Sequence, residues 1–228
     1  MPTTIAMNMK SDTQLQQDVL RELKWDPHVR ETEVGVQVRD GVVTLTGQVD
    51  SYAKKIAAAE ASHRVAGVLD VANDLVVKLP GYGPKSDAEI AESVRQALRY
   101  DAFVPEQSIR STVATGIVTL EGSVSTWSQR EDAGSVVSRL AGVGGVVNRI
   151  SVEGPSADPS SVRTAIESAL DRRAEREAKK IGVALKDGAV TLSGTVRSWG
   201  ERRAVERAAG FAPGVKRVES RLVIDPYS

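Results

Sequence analysis

DGVVTLTGQV, residues 40–49, decides the fold, because it returns as TGIVTLEGSV at 115–124 and as DGAVTLSGTV at 187–196. The first glycines of the three stretches are Gly41, Gly116 and Gly188, so the offsets are 116 − 41 = 75 and 188 − 116 = 72. The same offsets hold in both directions without a gap. Upstream, Leu15, Val19 and Leu23 align with Ile90, Val94 and Leu98, then with Val162, Ile166 and Leu170. Downstream, Gly67-Val68 aligns with Gly142-Val143 and Gly214-Val215. A register kept over roughly 65 residues in three copies marks an internal repeat.

Each copy reads as the same run of elements. Leu15, Val19 and Leu23 recur every four residues, which puts one apolar stripe on a helix. Ser11 with Gln14 and Ser86 with Glu89 are capping-box starts, and the third copy has Asp158 before Pro159, which suits a first helical position. Helices are expected over 12–24, 87–99 and 160–172. Val34, Val36 and Val38 then alternate as a strand with one buried face. Asp40-Gly41 and Asp187-Gly188 are type I′ hairpin signals, and Thr115-Gly116 is a weaker one. The second strand is richer in β-branched residues, which predicts the more buried position.

A second helix is expected over 52–65, 127–140 and 199–212, capped by Ser51, Thr126 and Ser198. Ala58, Ala61 and Val65, matched by Ala133, Val136 and Leu140, form its inner face. Gly67, Gly142 and Gly214 are expected at left-handed positions that end it. A third strand closes each copy as VANDLVV, VVNRISV or VESRLVI. The order αββαβ predicts an α+β fold of three tandem modules, at 10–78, 85–153 and 158–226. Each is a three-stranded mixed sheet with two helices on one face. KLPGYGPK and EGPSADP, dense in proline and glycine, separate the modules. The bare face of each sheet is a plausible place for modules to meet.

The recurring glycine before the end of the second strand, the small residue in the helix and the series GV-x-x-V-x-N-x-[LI] resemble the BON domain. Here these are Gly47, Val49, Ala58, Gly67, Val68, Val71, Asn73 and Leu75, then Gly122, Val124, Ala133, Gly142, Val143, Val146, Asn148 and Ile150. The third copy has Gly194, Val196, Gly214, Val215, Val218 and Leu222, with Val205 in place of the alanine and Ser220 in place of the asparagine. The resemblance implies an αββαβ fold and proteins of osmotic or envelope stress, commonly periplasmic, in which the domain contacts phospholipid surfaces. It also implies a potassium-binding relative.

Composition sets further bounds. The chain has 228 residues, with 30 basic and 30 acidic side chains, so no whole-molecule field points to nucleic acid or a membrane. No cysteine is present, which excludes disulfides and thiolate metal sites. The opening MPTTIAMNMKSD lacks a basic region followed by an apolar run, so a cytoplasmic protein is expected, or a periplasmic one if the N-terminus is incomplete. No apolar run approaches the ~18 residues of a membrane span.

No catalytic constellation stands out, and the expectation is a non-enzymatic protein without a cofactor. His28 and His63 occur only in the first copy, and GVGG at 142–145 lacks the lysine of a phosphate loop. Tyr52, Trp127 and Trp199 share one position just after the cap of the second helix. They read either as anchors in a lipid headgroup layer or as side chains packed on the next module. Charge separates the copies: residues 158–228 hold 14 basic and 10 acidic side chains, a balance of +4, against −4 for the rest. The candidate surface contact is therefore Trp199 with Arg202, Arg203 and Arg207, joined by Trp127. The alternative is a solvated helix face. Candidate partners are an anionic phospholipid surface, another protein or a potassium ion, with no nucleic acid expected.

Overall fold

The computed structural model describes residues 10–78, 85–154, 160, 162–164, 168 and 181–225. Module 1 runs α1 (Asp12–Trp25), β1 (Val34–Arg39), β2 (Val42–Val49), α2 (Tyr52–Arg64), β3 (Asp70–Asn73) and β4 (Val76–Val77). Module 2 repeats this as α3 (Asp87–Tyr100), β5 (Ile109–Ala114), β6 (Ile117–Val124), α4 (Trp127–Ser138), β7 (Gly145–Asn148) and β8 (Ser151–Val152). In module 3 the elements are β9 (Gly182–Lys186), β10 (Ala189–Val196), α5 (Trp199–Gly210) and β11 (Arg217–Ile224). The expected first helix of that module, 160–172, lies mostly outside the described residues, as does its Asp158-Pro159 start.

In every module the second strand is central, antiparallel to the first and parallel to the third. That placement explains its β-branched composition, since a central strand is covered on both edges. Val43 and Leu45, Val118 and Leu120, and Val190 and Leu192 are fully buried under the helices. Each module has its own core: Val19, Leu23 and Val68 belong to one, Val94, Leu98 and Val143 to the next, Val205, Ala209 and Val215 to the third. In α4 the inner face is shifted by one residue from expectation. Val137 is fully buried, while Val136 is only half-buried.

All three hairpin turns are type I′ with two consecutive positive φ values, including the one at Thr115-Gly116, +51° and +77°. Gly67, Gly142 and Gly214 have φ of +100°, +95° and +78°, as expected. The helices nevertheless stop earlier than expected, at Arg64, Ser138 and Gly210. The glycines belong instead to a separate four-residue turn, closed by Val68 N–H to Val65 O, Val143 to Leu140 and Val215 to Ala212. Each glycine is the third residue of its turn, and Pro213 occupies the second place in module 3, the sequence of a type II turn.

The third strand departs from expectation in two modules. In modules 1 and 2 it is interrupted after Asn73 and Asn148, whereas β11 is continuous over eight residues. Asn73 Nδ2 donates to the carbonyl of Lys55 and its Oδ1 accepts from Leu75 N–H; Asn148 does the same with Arg130 and Ile150. The side chain thus takes up a backbone donor on the open edge of the strand, while the neighbouring Asp74 and Arg149 N–H groups stay in the ladder. Pairing resumes in unchanged register, Leu45 with Asn73 and Gln48 with Val76, so no residue is inserted. Module 3 carries Ser220 at this place, too short for the bridge, and its Oγ is buried with no partner among the described residues.

Candidate functional site: the seams between modules

The modules do not meet through their bare sheet faces. Those faces carry Gln37, Arg39, Thr46 and Gln48 beside Val42 and Val76 in module 1, all exposed. The meeting points are the second helices. Trp199, first residue of α5, stacks on His63 near the end of α2 with centroids 4.0 Å apart, and its Nε1 donates to the carbonyl of Leu69 at 3.1 Å. One turn along, Arg203 pairs with Glu60 at 2.8 Å. Arg202 lies 4.7 Å from the Trp199 ring centre, a cation–π distance, and bonds Glu206.

Equivalent aromatic positions form the other two junctions. Trp127, first residue of α4, lies flat against Gly210 at the end of α5, where an added Cβ would sit 2.2 Å from the indole. Tyr52, first residue of α2, packs against the core of module 2. Beside it Ile56, Ala57 and Glu60 of α2 share an 830 Å³ groove with Ser135 and Ser138 of α4 and with Arg139 just beyond its end. The repeat offsets make His63, Ser138 and Gly210 equivalent (63 + 75 = 138, 138 + 72 = 210), as they make Tyr52, Trp127 and Trp199 equivalent. The contacts therefore run from module 1 to 2, from 2 to 3 and from 3 back to 1. One head-to-tail surface is used three times, and the chain closes on itself as a circle.

The expected surface residues fall into this scheme. Trp199, Arg202 and Arg203 come together in the seam between modules 3 and 1, half-buried or paired within the chain, whereas Trp127 lies apart from them in the seam between modules 2 and 3 and Arg207 stays exposed on α5. Of the expected motif glycines, Gly47, Gly122 and Gly194 sit in the central strands with φ near +125°. At Gly122 a Cβ would come within 2.0 Å of the Ser108 carbonyl, so the hairpin partner passes where only glycine leaves room. What the sequence reading missed is His63. Its Nδ1 is buried with no hydrogen-bond partner among the described residues, and burial, with Arg203 next, pulls its pKa down to about 4. Its only sequence signal was its equivalence to Ser138 and Gly210.

Burial, then the neighbouring Asp101, raises the pKa of Asp132. Burial acts to raise that of Asp26, but hydrogen bonds from Arg64 and from His28 N–H outweigh it and hold the carboxyl low. Arg64 bridges Glu22 and Asp26, both at 2.7 Å, and ties α2 to α1. Among the described residues no group of three or more His, Asp or Glu side chains is placed to hold a metal, and no helix is long and apolar enough to cross a membrane.

Three αββαβ modules, each with its own core, docked through their second helices, define a tandem-module protein whose organised polar chemistry lies at the seams. A family model, BON domain, matches residues 11–78, 86–154 and 158–226, and the chain belongs to that family. It is 27% identical over 147 residues to osmotically-inducible protein Y of Escherichia coli (strain K12), covering 62% of this chain and 72% of that one. Two solved structures of CdsD, the structural protein of the type III secretion system of Chlamydia trachomatis, one of them its C-terminal domain, are 16% and 15% identical. They cover 92% and 95% of this chain and 91% and 100% of their own, with TM-scores of 0.25 and 0.26, too low to support an argument from shape.

Proposed function

We propose that this chain is a non-enzymatic, osmotic-stress-associated protein that works by protein–protein docking through its BON modules. The stress association is carried over from the name of its Escherichia coli relative. The docking reading rests on one observation: the aromatic after the helix cap meets the neighbouring module at all three seams, at the end of its second helix for Trp199 and Trp127 and against its core for Tyr52. A surface reused in this way is a recognition surface. It also engages Trp199, Arg202 and Arg203 inside the chain, which leaves them poorly disposed to meet a lipid layer.

A second reading, contact with an anionic phospholipid surface, is favoured by other aromatics. Trp25, Tyr100, Phe103 and Phe211 are 80%, 82%, 74% and 61% exposed in a chain with only nine Phe, Tyr and Trp residues (2 + 4 + 3). Such residues insert readily at a headgroup layer. Sedimentation with phosphatidylglycerol or phosphatidylcholine vesicles, in potassium and in sodium, separates the readings. On the docking reading the Arg202→Glu, Arg203→Glu double variant sediments more slowly by itself, because the circle loosens, and anionic vesicles retain neither protein. Wild-type retention on anionic vesicles that the double variant loses, at unchanged compactness, would put the lipid reading in its place.

A further inference from the structure

Three seams close the circle, but only two are covalently tethered. Residues 79–84 join modules 1 and 2 and residues 155–157 join modules 2 and 3, while module 3 meets module 1 through noncovalent contacts. That untethered seam is also the only one whose receiving position carries a titratable side chain: His63, against Ser138 and Gly210 at the equivalent places.

We propose that the seam between modules 3 and 1 is an acid-released latch, in which protonation of His63 opens the circle while the modules stay folded. The inference rests on the docking reading above. The charged groups facing His63 are Glu60 from its own helix, Asp70 from the start of β3, and Arg202 and Arg203 from α5. Glu60 is already paired with Arg203, and the indole that His63 stacks on already carries the Arg202 guanidinium. A proton on the imidazole adds a third positive charge beside these two arginines. It also makes Nδ1 an obligatory donor, where no acceptor is present among the described residues. Separation of the modules relieves both conditions by returning the imidazole to water.

The direction with pH follows from the depressed pKa. The closed state disfavours the proton and the open state takes it near the ordinary value, so closure is fully favoured above about pH 6.5 and weakens as pH falls toward 4. Titration near 4 when closed and near 6.5 when open corresponds to at most a ~300-fold loss of closure. The imidazole is half-buried, and solvent screening reduces this to roughly tenfold to a hundredfold.

The absence of native cysteine allows the seam to be watched directly. Donor and acceptor dyes on Gln37→Cys and Lys186→Cys, both at exposed strand positions, report the separation of modules 1 and 3 by energy transfer. Transfer is expected to fall between pH 7.5 and 4.5 with far-ultraviolet circular dichroism unchanged. His63→Gln and His63→Phe, which carry no titratable group, are expected to stay closed throughout, and Trp199→Ala to be open at every pH. Flat transfer in the parent protein overturns the latch, as does an acid response persisting in both His63 variants, or both being open at pH 7.5. If Trp199→Ala instead matches the parent at pH 7.5, the seam itself is wrong and the docking reading falls with it.

Discussion

Thr115 is a β-branched residue held at φ +51°, in the left-handed region that favours glycine, asparagine and aspartate. Its counterparts in the other hairpins are Asp40 and Asp187. Three contacts keep it there: its N–H and that of Gly116 both donate to the Asp87 carboxylate at 2.8 Å, and its hydroxyl donates to the Ala114 carbonyl at 2.7 Å. Asp12 clamps the first hairpin in the same way, while the third module has Pro159 at that place and so no carboxylate to offer. Replacing Thr115 by Asn removes the branched Cβ and keeps both backbone bonds to Asp87. Module 2 is expected to gain on the order of 1 kcal/mol in denaturant unfolding. A loss of stability would show that the hydroxyl bond to Ala114 matters more than the backbone strain.

At the scale of elements, the interrupted third strand sets modules 1 and 2 apart from module 3. Asn148 joins α4 to the sheet by bonding the Arg130 carbonyl at 2.7 Å, and Arg130 returns two bonds, to the carbonyls of Asn148 and Ile150. Asn148→Ser copies module 3 at this place. It is expected to cost about 1–2 kcal/mol, because a part-buried carbonyl loses its donor. Amide hydrogen exchange then checks the location, with faster exchange at Ile150 than at Val118 in the central strand. Element order and hairpin type were legible in the sequence, since gap-free repeats let three noisy copies report one pattern. The interruption was not, because VANDLVV alternates like an unbroken strand and only the asparagine signals otherwise. The helix ends were misjudged for a related reason: a glycine with positive φ serves a type II turn as well as a helix terminus.

The largest feature, the closed circle, was the least legible. Trp199 and Leu69 are bonded across 130 residues, and no local pattern encodes a contact between separately folded cores. The shared aromatic position showed that a common role existed, but it fitted a lipid layer as well as a neighbouring module. The cyclic relation itself has a mechanical consequence. If the three seams are equivalent, the gap from the end of module 3 to the start of module 1 equals the gap that residues 79–84 bridge between modules 1 and 2. A circular permutant that begins at Lys85, runs to Asp225, continues through a copy of Leu79–Pro84 into Lys10 and ends at Lys78 should then fold to the same arrangement. The tether moves to the seam holding His63, where it raises the effective concentration of the two faces, to the millimolar range for a short linker. The untethered seam becomes that of Tyr52 with module 2, which carries no counterpart of His63. Energy transfer between positions 37 and 186 in the permutant should therefore stay high from pH 7.5 to 4.5, under conditions where the parent chain opens. Low transfer at neutral pH in a permutant with intact circular dichroism would mean that the termini are too far apart for that linker, and the threefold equivalence of the seams would not hold.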